Sequence, residues 1–246
     1  HHTICEMMRR TNFDPGGFSE YVRLPRVNVE RGVFPLPDRL SFEEATFVEP
    51  LACVSRSQRL AEVSTHHTLL ILGSGISGLL HLKLAKAKGV RCVVAVDLNE
   101  YRLRAAKRFG ADKIINAEED VPRHLKEFNE DRLADRVIVS TGAKAASEQA
   151  LRSIDRGGKI LFFAAPRPGD HVSVPVGTFW LDEIELTASY GASPRDLTDS
   201  LQLLESGSIQ VRDMITHRLP LAETGKGFAL VADASESMKV IIEPQQ

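Results

Sequence analysis

The chain changes its hydrophobic rhythm twice. In its middle, "TLLILG", "CVVAVD", "KIIN", "DRVIVSTG" and "KILFFAA" are short apolar runs. Between them, "ISGLLHLKLAKAKG", "NEYRLRAAKRFG", "EEDVPRHLKEFNEDRL" and "KAASEQALRSIDRGG" carry apolar residues at helical spacing. The strands are continuous apolar runs rather than alternations, which indicates burial on both faces. Strand–helix repetition with short links predicts an α/β fold with a doubly wound parallel sheet. Gly89, Gly110 and Gly157 each fall just before the next strand, where a left-handed residue closes a helix.

The two ends have a different pattern. "GGFSEYVRLPRVNVERGVFPLPDRL" is rich in Gly and Pro with short alternations such as "EYVRLP", and predicts an irregular all-β region of brief strands and turns. "SFEEATFVEPLACVSRSQRLAEV" then becomes helical. Ser41 with Glu43 and Glu44 behind it marks the start, and Pro50 predicts a break or a kink. After "ELTASYG", Ser193 is the expected N-cap and Pro194 the first turn of another helix. "ITHRLPL", the helical "AETGKGFALVADA" and the strand "MKVIIEP" close the chain.

Composition narrows the class. With 246 residues, 43% hydrophobic, 26% charged and a net charge of −2, the chain is an ordinary globular protein without a nucleic-acid footprint. No apolar run reaches the ~18–20 residues of a membrane span. The N-terminus lacks the apolar core of a signal peptide. Cys5, Cys53 and Cys92 are far apart and form no CxxC pair, which fits a reducing cytoplasm. The chain starts without Met, which suggests a fragment, and His1 and His2 are compatible with tag remnants.

The chemistry sits in "ILGSGISG". Gly73, Gly75 and Gly78 fit G-x-G-x-x-G directly after a strand and at the opening of a helix. The first allows the tight turn, the second lets a pyrophosphate approach the backbone, and the third lets helix and sheet pack closely. The first-turn amides around Ile76 and Ser77 favour the phosphate charge. Asp97 closes the next strand nineteen residues after Gly78, where a carboxylate accepts the ribose hydroxyls and repels a 2′-phosphate, favouring NAD over NADP. The alternative is a structural glycine turn, with Asp97 capping the following helix. Arg102 is a candidate for the adenosine end, or a solvated helix arginine. Thr141 and Gly142 of "STG" and Ala165 of "AAP" follow the fourth and fifth strands, where ligands lie in such sheets; each reads equally as a simple turn.

"GGFSEYV", "FPLPDRLSFEEATFVEPLACV", "ILGSGISG", "VDLNEYRLRAAKRFGAD", "STGAKAA", "GGKILFFAA" and "ITHRLPLAETGKGFALV…MKVIIEP" occur in an order that resembles the zinc-dependent medium-chain alcohol dehydrogenases, in particular the sorbitol, iditol and threonine dehydrogenase branch. The resemblance implies a Rossmann coenzyme domain at 55–189, inserted in a partial GroES-like β-barrel catalytic domain at 1–54 and 190–246. It implies NAD and zinc as cofactors, an alcohol or polyol as substrate, and a homo-oligomer, dimer or tetramer, built through the strand near "IELTASYG", which reads equally as internal. It matches Glu49 to a catalytic zinc position and Cys5 to the last of four structural-zinc cysteines. The remaining ligands of both sites lie upstream of "GGFSEYV" in the family, so the resemblance implies that this chain alone binds neither zinc properly, and no catalytic residue is assigned.

Among the histidines, His66 and His67 fall in a polar turn and are expected in solvent. His81 packs or snorkels, His124 and His171 have no partner in sequence, and His217 is expected to be structural. Three functions therefore compete: an NAD-dependent, zinc-assisted dehydrogenase of a secondary alcohol, inactive as this fragment; a non-catalytic dinucleotide-binding module; and a methyltransferase, disfavoured by the glycine spacing and the dehydrogenase-like ending.

Overall fold

The computed structural model describes residues 2–6 and 13–245, so the expectation about His1 lies outside the described residues. The chain divides into two compact units, one formed by His1–Ala52 with Gly191–Gln246, the other by Cys53–Tyr190.

The second unit is the alternating region. Its strands are β1 (Thr68–Leu72), β2 (Cys92–Asp97), β3 (Lys113–Asn116), β4 (Ala134–Val139), β5 (Ile154–Phe162) and β6 (Glu185–Ala188). All pair in parallel in the order β3-β2-β1-β4-β5-β6. The chain winds outward from β1 to β3, then returns to the other side of β1 for β4. The ends of β1 and β4 are thus a topological switch point, where such sheets bind ligands. β1 is buried along its whole length. Leu70, Leu72, Val94, Val96, Val137, Val139 and Ile160 form one core with Val121, Leu125 and Ala150 from the covering helices. Leu69, Ile71, Val93 and Ile138, alternating with them, are equally buried. That two-sided burial is what the continuous apolar runs required.

Gly89 (φ +75°) and Gly110 (φ +99°) follow the helix ends as expected. Gly157 does not. The helix Lys144–Ser153 stops four residues earlier, and Gly157 (φ +66°) lies inside β5, where the register against β4 slips. The left-handed residue serves a bulge there rather than a cap. At the sheet margin, the buried Lys159 ammonium lies 2.9 Å from Glu185 and 3.1 Å from Glu62. These contacts, the Glu185 hydrogen bond foremost, hold its pKa above the usual lysine value and tie β6 to its neighbour.

The first unit holds helices α1 (Arg26–Gly32), α2 (Phe42–Ala45) and the start of α3 (Val48–Leu60), which the unit boundary crosses. From the other chain end come Pro194–Glu205, Thr224–Asp233 and a parallel pair, β7 (Ile215–Pro220) with β8 (Lys239–Glu243). The all-β reading of the N-terminal region is corrected. Among the described residues its ladder is one bridge, Asp14 with Arg23, and α1 follows Pro25. An alternating segment needs a partner for its N–H and C=O groups, and sequence alternation does not supply one. Pro50 makes no break within α3. It sits in the first turn, where its missing N–H is no loss, and the interruption falls at Thr46 and Phe47, before α3 begins. The Ser41–Glu44 and Ser193–Asp196 capping boxes both form. Glu43 pairs with Arg218 and Glu44 with Arg212 at 3.0 Å, joining the two chain ends within this unit. The Arg212 hydrogen bond is the largest cause that lowers the Glu44 carboxyl to about 2.

Candidate functional site

The site is built where β1 runs into the helix Ile76–Ala87, here α4. Gly73 (φ +96°) turns the chain, its N–H bonded to Val96 O at 2.9 Å. A side chain there would begin 3.0 Å from Thr141 Cβ. On Gly78 it would begin 1.9 Å from Gly73 O. Gly75, the N-cap of α4, is different: within 4 Å a side chain would meet only Arg102 Nη1, at 4.0 Å. Two glycines are therefore demanded by packing and one leaves open space over bare main chain. The amides of Ile76 and Ser77 stand in the first turn beside that space, without intrahelical acceptors and at the positive end of the helix dipole.

Asp97 ends β2 facing this turn. Its Oδ2 accepts the Ser74 N–H at 2.7 Å and its Oδ1 the Asn99 N–H at 2.9 Å. The capping role weighed for Asp97 belongs to Asn99, whose side chain accepts the Arg102 N–H at 3.1 Å at the start of α5 (Glu100–Arg108). Arg102 is half-buried, and its Nε is shut off from solvent with no hydrogen-bond partner. Gly75, Asp97 and Arg102 thus share one corner. Beside them, a side chain on Gly142 would begin 2.7 Å from Ala165 O, so the ends of β1, β4 and β5 bring Gly73, Thr141, Gly142 and Ala165 together.

Ser140 belongs to the "STG" turn that the sequence marks as a ligand-side position, but the sequence does not single it out. It precedes Thr141 against Gly73, and its hydroxyl is buried without a partner. Its place in "STG" was the available signal; the unsatisfied oxygen exists only once the strands are assembled. Open space at Gly75, two orphaned polar atoms and a carboxylate at the switch point fit a dinucleotide.

Glu49 stands exposed in the first turn of α3, and Cys5 is exposed. Among the described residues no group of three His, Cys, Asp or Glu converges around either. The ligands present do not compose a tetrahedral zinc site.

The histidines are partly as expected. His66 is exposed, but His67 is 8% exposed, its Nδ1 accepting the Ser64 N–H at 3.2 Å. Burial, ahead of the Arg136 charge, pushes its pKa down to about 4. His81 packs fully buried, edge-on to Phe163 at 4.8 Å, and burial lowers it to about 3. His124 lies 2.8 Å from Glu119 and 3.2 Å from Glu127. His171 is exposed, and His217 sits on β7 with Nδ1 3.0 Å from Thr216 Oγ1.

A parallel sheet in this order, with a glycine turn and an acidic residue closing the second strand, defines a dinucleotide-binding domain of the Rossmann type. Residues 77–206 match the family profile of the zinc-binding dehydrogenases. The chain is 29% identical to sorbitol dehydrogenase of Bacillus subtilis, over 94% of this chain and 64% of the relative. It is 31% identical to L-threonine 3-dehydrogenase of Bacillus licheniformis, over 98% of this chain and 68% of that one. Alcohol dehydrogenase TADH from Thermus sp. ATN1 superposes with a TM-score of 0.86 at 26% identity, covering 93% of this chain and 66% of that one. The chain belongs to the zinc-binding dehydrogenase family, and spans about two thirds of the length of these relatives.

Proposed function

We propose that the chain carries the coenzyme-binding part of an NAD-dependent, zinc-assisted oxidoreductase of secondary alcohols or polyols. The observation that carries this reading is the open main chain at Gly75 facing Asp97. In it, the Ile76 and Ser77 amides hold the diphosphate, Asp97 accepts the ribose hydroxyls and Arg102 meets the adenosine end. Thr141, Gly142 and Ala165 line the path of the nicotinamide half, whose ring, when bound, supplies the hydride acceptor. Zinc has no ligand set among the described residues, and no step is assigned to it or to Glu49 and Cys5. The names of the relatives, sorbitol and threonine dehydrogenases, support a small hydroxy compound as substrate. The first unit is read as part of the catalytic domain at 1–54 and 190–246.

The same reading makes the protein a homo-oligomer through the outer edge of β6, an end strand of the sheet. Val176, Trp180 and Leu181 in the helix before it, Leu186 on it and Tyr190 after it are exposed. It places the protein in the cytoplasm; no helix among the described residues is long and apolar enough to cross a membrane.

Calorimetric titration with NAD, run beside NADH absorbance on a panel of polyols, tests the proposal. Micromolar NAD binding with reduction of NAD by a polyol is the expected result. Binding without turnover would make it a non-catalytic dinucleotide-binding module, and binding of a methyl donor in place of NAD would revive the methyltransferase.

A further inference from the structure

We propose that Arg167 holds an anionic group of the substrate at the nicotinamide end of the dinucleotide site. The hydroxy compound taken there then carries a carboxylate or a phosphate. This rests on the dinucleotide reading above and narrows its substrate class.

The placement follows from the sheet. The diphosphate turn stands at the end of β1, and β5 lies two strands away in the order β1-β4-β5. At about 4.8 Å per strand that is roughly 10 Å, which puts the end of β5 beside the nicotinamide half rather than the diphosphate. The chain leaving β5 is pinned there. Val139 O accepts the N–H of Phe163 at 3.0 Å and of Ala164 at 3.1 Å. A side chain on Gly142 would begin 2.7 Å from Ala165 O and 3.9 Å from Pro166 Cα. Arg167 follows Pro166, so its Cα stands no more than about 7 Å from that of Ala165.

The backbone of Arg167 has little freedom left. Pro166 and Pro168 flank it and fix their own φ, and a residue before proline is confined to extended conformations. Arg167 to Asp170 then form a type II turn, with Pro168 second, Gly169 third at φ +90°, and the Asp170 N–H donated to Arg167 O at 3.0 Å. The Arg167 side chain is exposed. Among the described residues no hydrogen bond or ion pair engages its guanidinium, not even with the Asp170 carboxylate in the same turn. A guanidinium on a preordered loop loses little entropy when it captures a ligand, and it meets a carboxylate or phosphate through two parallel hydrogen bonds. A neutral polyol offers that fork no matching charge. The oxidised nicotinamide ring, itself a cation, adds to the attraction for an anion bound next to it.

The test is calorimetry at fixed ionic strength on the 246-residue chain saturated with NAD, with erythritol, erythronate and erythritol 4-phosphate as probes. The three share a four-carbon hydroxylated chain and differ in charge. At least one anion should bind about tenfold or more tighter than erythritol, the tighter one naming the group, and Arg167→Gln should erase that preference. No preference for either anion, including no binding of any probe, overturns the proposal. So does a preference that survives Arg167→Gln. Two further titrations locate the charge. Arg167→Gln should raise the affinity for NAD relative to NADH about twofold or more, because only the oxidised ring is positively charged. It should leave the affinity for adenosine diphosphate ribose and the thermal midpoint as in the native chain. An unchanged NAD-to-NADH ratio overturns the proposal, and a loss of adenosine diphosphate ribose binding does so by moving Arg167 to the diphosphate. A native chain that binds neither NAD nor NADH refutes the underlying dinucleotide reading, a result distinct from all of these.

Discussion

Gly78 lies so close to Gly73 that a methyl group on it would stand 1.9 Å from the Gly73 carbonyl oxygen. Neither partner has room to yield, because the obstacle is main chain and Gly73 itself is pressed against Thr141 and Ser140. Gly78→Ala is therefore expected to lift α4 off the sheet and to destabilise the protein by on the order of 3 kcal/mol or more. Urea unfolding followed by circular dichroism reads this directly. A native midpoint would show that the helix is not seated as described.

Gly75→Ala should do the opposite. Its backbone (φ −68°, ψ −172°) suits any residue, and the new methyl meets only the end of a flexible arginine. Stability should fall by no more than about 1 kcal/mol, the difference between glycine and alanine at an N-cap. NAD affinity should fall by about tenfold or more, since the methyl occupies the approach of the diphosphate. The pair of variants separates folding from binding within one motif.

Much of this was legible from residue order alone. The runs "TLLIL" and "CVVAV" could be buried on both faces only in a covered parallel sheet, and the glycine spacing located the turn between them. What was not legible depended on tertiary partners. Gly157 looks like a helix cap in "IDRGGK", and only the slipped β4–β5 register shows that it serves a bulge. "EYVRLP" has strand propensity but, among the described residues, a single bridge to Asp14 nearby. His67 adjoins an exposed neighbour in a polar turn, and its burial follows from packing that no local pattern encodes. The unsatisfied Arg102 Nε and Ser140 Oγ likewise exist only once the strands are assembled.

Asp97→Ala removes an acceptor from the Ser74 and Asn99 amides as well as from a ribose. Hydrogen bonds to a charged group contribute about 1.5–3 kcal/mol each. NAD affinity is expected to drop by about tenfold or more, with a measurable loss of stability that Asp97→Asn shows less strongly. Calorimetry and thermal unfolding on both variants check the two effects separately.

Among the described residues β6 ends the sheet, with Leu186 on it 40% exposed and Trp180, in the helix before it, 80% exposed. Sedimentation velocity should find an assembly that Leu186→Lys dissociates, because a lysine on an edge strand opposes strand pairing. An assembly equally stable with the lysine would move the interface elsewhere.

His81 makes stability depend on pH, and the sign follows from its surroundings. Its ring is fully buried, Nε2 lies 3.5 Å from Ser57 Oγ, and Nδ1 has no partner. Burial, and after it the Lys88 charge, lowers its pKa from 6.5 to about 3. The folded chain therefore keeps the imidazole neutral where the unfolded chain protonates it. Stability is full above about pH 6.5 and is lost as pH falls from there toward 3, since the unfolded state binds the proton first. His67, lowered to about 4, acts in the same direction over most of that range. Urea midpoints measured from pH 7.5 down to pH 4.5 should fall in the native chain. They should fall less steeply in His81→Leu, whatever that change does to stability at pH 7.5. A slope that persists unchanged in His81→Leu and disappears in His67→Gln would assign the effect to the other ring.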